Sequence, residues 1–213
     1  MTRVIARAIP ATVALALAAG CSMFARKIPD TRRYQLVTTP PQVAIPPDVR
    51  FELRSVSGGA PYQDTGLAVQ TSEFRIDSYR FHRWVAPPTD MVADRLRSII
   101  YAPSTAGEAH PNAPTAVMQA DVQAFQQVQT GAQFAGLVTI QTCLYPPGMF
   151  QRAFWCQTFS KSTPASTGGP EAATAAINSS LNDVLQQFAG ALPSAVAAMP
   201  KPPAPRTALQ QML

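Results

Sequence analysis

Leu137-Val-Thr-Ile-Gln-Thr-Cys143-Leu-Tyr145 and Phe150-Gln-Arg-Ala-Phe-Trp-Cys156-Gln-Thr-Phe159 flank the turn Pro146-Pro147-Gly148. Both runs are rich in β-branched and aromatic residues, and the segment between them is a turn former, so the stretch reads as a β-hairpin. Proline fixes φ in the turn and glycine supplies flexibility. With Cys143 opposite Cys156, Leu144 faces Trp155, Tyr145 faces Phe154, and Ile140 faces Phe159. The residue numbers of every pair share one sum, as antiparallel pairing requires. Leu144, Trp155, Ile140 and Phe159 then share a core face, and both cysteines fall on the other. A slip of one residue would separate the cysteines. Directly opposed Cα atoms lie roughly 4.5–5.5 Å apart, within the usual disulfide range of about 4.4–6.8 Å. A Cys143–Cys156 disulfide is therefore expected, with two buried free thiols as the alternative.

The same patterning extends outward in both directions. Ala116-Val-Met118-Gln-Ala120-Asp-Val122-Gln-Ala124 alternates as a strand, and so does Val49-Arg-Phe51-Glu-Leu53-Arg54. Tyr34–Val37 reads as a first strand, stopped by Pro40-Pro41. Another strand begins at Leu67 and Val69. A second short one follows at Phe74-Arg-Ile76, and the alternation changes phase before Tyr79 and Phe81. Gly58-Gly59 with Pro61, and the segments 103–114 and 162–169, read as loops. Pro87-Pro88-Thr89 opens a helix, with Thr89 as N-cap and Asp90 in the first turn. Its apolar face is Met91, Val92, Leu96, Ile99 and Ile100. Pro170 starts a last helix, striped by Ile177, Leu181, Val184, Leu185, Phe188 and Leu192. The resulting fold class is α+β: a mostly antiparallel sheet with two helices packed on one face. Trp84, just before Pro87-Pro88, has a plain reading as a plug between strand and helix. The alternative is that it lines a lipid or partner surface.

At the N-terminus, Arg3 and Arg7 precede an apolar, small-residue run from Ala8 to Gly20, with no acidic residue before Asp30. That is the form of a secretory signal. The run falls short of the roughly 20 residues a spanning helix needs. Leu17-Ala-Ala-Gly20-Cys21 resembles the lipobox of bacterial lipoproteins, although Ala18 stands where leucine is commoner. Cleavage before Cys21 and lipidation of that cysteine are expected. Ser22 follows it, whereas in enterobacteria an Asp there marks inner-membrane retention. The expected place is thus the outer membrane, facing the periplasm. Export also places Cys143 and Cys156 in an oxidising compartment, where an even count suggests a bridge. The organisation expected is a signal peptide at 1–20, a lipidated tether at 21–33, one domain at 34–192, and a Pro/Ala-rich disordered tail at 193–213. The formal charge is +5, so losing Arg3 and Arg7 leaves a mild, scattered excess.

Four features together resemble a known family. They are Cys21, the Tyr34-Gln-Leu36 strand, the stretch from Gly66-Leu-Ala-Val69 through Trp84-Val-Ala-Pro87 into the Met91–Leu96 helix, and the strand Val117–Phe125 before a hairpin and final helix. The pattern is similar to the auxiliary lipoproteins of ABC-type transport systems, the PqiC-like family, over nearly all of the folded part. The Cys143/Cys156 pair and the tail lie outside it. The resemblance implies an accessory role beside an MCE-type lipid transporter of ATPase, permease and periplasm-spanning MCE protein. A homo-oligomer and a bound phospholipid stay open.

No HExxH, CxxC or GxSxG motif occurs, and the two histidines, His82 and His110, stand apart from the cysteines and from any carboxylate pair. No catalytic set, metal site or cofactor is therefore expected, and export argues against nucleic acid. The competing function is a general envelope adaptor, pilotin- or chaperone-like, with no transport role.

Overall fold

In the computed structural model, residues 29–37, 39, 41, 43, 45, 49–102, 110–148 and 152–200 are described. Among them the strands are β1 (Arg32–Tyr34), β2 (Arg50–Gly58), β3 (Gly66–Ser72), β4 (Arg75–Trp84), β5 (Thr115–Thr130), β6 (Gln133–Tyr145) and β7 (Trp155–Pro164). The helices are α1 (Ala60–Gln63), α2 (Pro88–Ile100) and α3 (Pro170–Ala197). The fold class is α+β, with all seven strands in one sheet.

β5 organises that sheet. β6 runs antiparallel along one edge of it from Val117 to Thr130. The other edge is shared end to end: β2 pairs with Arg50 opposite Thr115 through Gly58 opposite Val122, and β3 pairs with Val69 opposite Gln127. Both of these ladders are parallel, as is β1 on β4. The sheet is therefore mixed, not mostly antiparallel as the sequence suggested. Alternation shows which face of a strand is buried and is silent on the direction of its neighbour.

Several boundaries differ from expectation for local reasons. The first strand is Arg32–Tyr34, earlier than Tyr34–Val37. Beyond it, Asn178 holds Val37 at both its N–H and its C=O, at 2.9 and 3.0 Å. In place of a loop at Gly58–Pro61, β2 ends at Gly58 and the single turn α1 begins at Ala60. Phe74–Ile76 is not a strand of its own. β4 is one ten-residue strand, and the change of phase before Tyr79 is a bulge, where pairing with β3 shifts between Gly66 and Ala68. Thr89 does not cap α2. It lies inside the helix, is buried, and gives its hydroxyl to the carbonyl of Tyr62 at 3.3 Å. β7 continues to Pro164, into the expected linker. α3 runs through Pro193 to Ala197, past the boundary expected at 192. Leu192 and Ala195 are buried there, and alanines favour the helix on either side.

The two helix faces read from the sequence are buried. Ile177, Leu181, Val184, Leu185, Phe188 and Leu192 of α3 join Val92, Leu96 and Ile99 of α2 in one core. Each such side chain contributes about 2 kcal/mol when fully buried. α3 packs on β6 and β7, and α2 on β2. No helix among the described residues is long and apolar enough to cross a membrane.

Candidate functional site

Of the residues singled out in the sequence, Cys21 lies outside the described residues, as does the tail beyond 200. Trp84 ends β4 in the core, 1% exposed, its ring edge-to-face with Phe125 at 5.4 Å. Its backbone N–H donates to the carbonyl of Thr65 at 2.7 Å, while its indole N–H has no partner among the described residues. Cys143 and Cys156 are register partners, bonded with their Cα atoms 4.2 Å apart. Leu144, Ile140 and Phe159 point the opposite way, into the core. Cys156 is exposed and Cys143 half-buried, so the bridge sits on the open side of the sheet.

Where α3 begins, side chains from distant parts of the sequence converge. The Glu171 carboxylate accepts from Arg32 Nη1 at 2.9 Å and from the Tyr34 hydroxyl at 3.0 Å. Tyr34 O also meets His82 Nδ1 at 2.7 Å, with the two rings stacked. A phenol has one proton. With that proton on Glu171, the third contact needs Nδ1–H of His82 to donate to the phenol oxygen. Glu171 is held below its ordinary value of 4.5, first by its own backbone N–H and then by the Tyr34 hydroxyl. Tyr34 is raised above 10.0, first by burial and then by Glu171, so it stays a donor at neutral pH.

Tyr79 extends the cluster inward, its ring edge-on to His82. Its oxygen is 2.5 Å from the Gln127 amide and 2.6 Å from the carbonyl of Gly168. One proton cannot serve two acceptors. With the buried amide turned to present N–H to Tyr79, the phenol donates to Gly168, and the otherwise unpartnered Gln127 Nε2 is satisfied. Burial first, and then the Glu171 charge, raise Tyr79 as well. This cluster ties β1, β4, β5 and the start of α3 together. It contains no thiol or aliphatic hydroxyl to act as a nucleophile. Among the described residues no group of three or more His, Cys, Asp or Glu could hold a metal ion.

A cavity of about 690 Å³ opens at the β5–β6 turn. Val128, Phe134, Leu137 and Pro164 give it apolar walls, four hydroxyls (Thr130, Ser162, Ser166 and Thr167) and the Gln133 amide add polar groups, and among the described residues no charged side chain lines it. Small-molecule sites are of this size and set a few polar groups among apolar ones, and this lining is likewise mixed. Sequence reading missed both features, since neither has a local spacing to announce it.

The described domain is similar in fold to two solved structures. One is a Xanthomonas campestris protein of the DUF330 family, 18% identical, with a TM-score of 0.67 over 78% of this chain and 97% of that one. The other is an uncharacterized protein, 12% identical, with a TM-score of 0.53 over 78% of this chain and 99% of that one. No curated protein is recognisably similar in sequence. Residues 34–189 match the family described as the ABC-type transport auxiliary lipoprotein component. That segment takes in every strand from Tyr34 onward and most of α3, and so the chain belongs to the ABC-type transport auxiliary lipoprotein family.

Proposed function

We propose that this protein is the membrane-anchored accessory lipoprotein of an MCE/ABC-type lipid transport system. It is cut before Cys21, lipidated there, and held on the outer membrane facing the periplasm. It works by binding and positioning in lipid traffic between the membranes, without catalysis. The family match over 34–189 carries this reading, and the lipobox cysteine thirteen residues before that segment supports it. Several acyl chains on one cysteine anchor stably where a single chain holds only marginally. The uncharged cavity at the β5–β6 turn is compatible with lipid contact. The MCE-domain protein is the expected partner.

Two measurements test this. Wild-type protein should incorporate labelled palmitate and fractionate with the outer membrane, and Cys21→Ser should do neither. Label retained by Cys21→Ser overturns the lipidation site. Affinity-purified protein should bring down an MCE protein, and deletion of the gene should sensitise cells to detergent. If neither occurs, the transport assignment fails and the envelope-adaptor reading replaces it.

A further inference from the structure

Phe74 stands in the turn between β3 and β4 with 92% of its surface exposed, and Ile76 beside it is 44% exposed. Neither contributes to the core, so packing does not explain a phenyl ring at this tip. The direction of β1 supplies an explanation. β1 runs parallel to β4, with Arg32 opposite His82 and Tyr34 opposite Trp84. β1 therefore pairs with the last residues of β4 and points away from the end that carries Phe74, so that its first residue, Arg32, is the one nearer that end. β3 is likewise parallel to β5, which places the β5–β6 turn and its uncharged cavity at the same end.

We propose that the β3–β4 tip, led by Phe74, rests in the surface of the bilayer to which the lipid on Cys21 ties the chain. This rests on the lipidation reading above. The reach is sufficient. Eleven residues from Cys21 to Arg32 extend at most about 40 Å, and the strand from His82 back to Phe74 spans no more than roughly 26 Å. The tip carries Glu73, Arg75 and Asp77, with Arg75 paired to Asp77 at 2.7 Å, so no basic excess draws it to a membrane. Apolar burial, not charge, would hold it, as for aromatic side chains at a headgroup boundary.

The test uses the full lipidated chain in vesicles of phosphatidylethanolamine and phosphatidylglycerol with brominated acyl chains. Phe74→Trp is compared with Asn112→Trp, an exposed position before β5 at the opposite end of the sheet. Trp84 and Trp155 give both variants the same background. Emission from Phe74→Trp should shift to the blue and be quenched, at low and high salt alike, while Asn112→Trp stays unquenched. With the acyl label present, equal emission from the two variants overturns the inference and leaves lipidation standing; it would assign the tip to a protein partner. Quenching lost at high salt also overturns it, because charge would then be the cause. A chain without label overturns both.

Discussion

A methyl group has no room at Gly136. A Cβ built there would stand 2.3 Å from the backbone nitrogen of Ile177 and 2.5 Å from the carbonyl carbon of Ala176. Both neighbours are backbone of α3, so the whole helix would have to lift to admit it. Gly136→Ala should cost about 3 kcal/mol, the upper range for overpacking. In a domain of this size that lowers the melting temperature by roughly 6–12 °C. Gly190 is the contrast within the same helix. Nothing lies within 4 Å of its missing Cβ, so Gly190→Ala should gain about 0.5–1 kcal/mol from helix propensity alone. Thermal unfolding of the two variants should move in opposite directions, and equal shifts would remove the close approach as the cause. Read from the sequence, the strand starts at Leu137. In the structure it starts at Gln133. Gly136 marks the place where a helix backbone comes down on the sheet, information held in α3 some forty residues later.

The β6–β7 hairpin was legible because its register and its two faces constrain each other. Cys143 opposite Cys156, Leu144 opposite Trp155 and Ile140 opposite Phe159 are the observed pairs. The parallel ladders were not legible. Phe51 and Leu53 show that β2 buries one face, but nothing in that alternation says that β2 and β3 divide one edge of β5 between them. The bulge in β4 left a trace as a change of phase, read as a break between strands because the sequence cannot distinguish the two. The bridge closes a short loop, its cysteines thirteen positions apart in the sequence. Its stabilisation in the chain-entropy account is about 2–3 kcal/mol. Cys143→Ala with Cys156→Ala should therefore lower stability by that amount and leave the fold intact, because the core side of the hairpin is untouched. Circular dichroism and urea unfolding check this. Intact-mass measurement of non-reduced, alkylated wild-type protein tests the bridge itself, which two alkylated thiols besides Cys21 would rule out.

Across the whole molecule, the start of the domain is fastened by residues that are far apart in the chain. Tyr34 and Glu171 are separated by 137 positions, so no motif could have joined them before the fold was known. β1 is only three residues long and pairs with β4 alone. Under the proposed lipidation, any pull on the anchor reaches the domain through this strand. What secures it is the Arg32–Glu171–Tyr34–His82 set, together with the two bonds from Asn178 to Val37. Glu171 gives this fastening a pH dependence. Its folded value is depressed, so folding favours the carboxylate. The contribution is present above the ordinary value of 4.5 and disappears as the pH falls through the lower folded value. The surface ion pair with Arg32 is worth little by itself, and the effect should be confined to β1, leaving the core unchanged. Hydrogen exchange at the Val85 amide, which donates to the carbonyl of Tyr34 at 2.8 Å, reads it directly. Relative to Glu171→Gln at the same pH, wild-type protection should be higher and constant from neutral pH to about 5, then converge on the variant below about 4.5. Amides of β5 and β6 should not distinguish the two proteins. If the Val85 amide is equally protected in both at neutral pH, the carboxylate does not hold β1, and Asn178 with the β4 ladder must be enough.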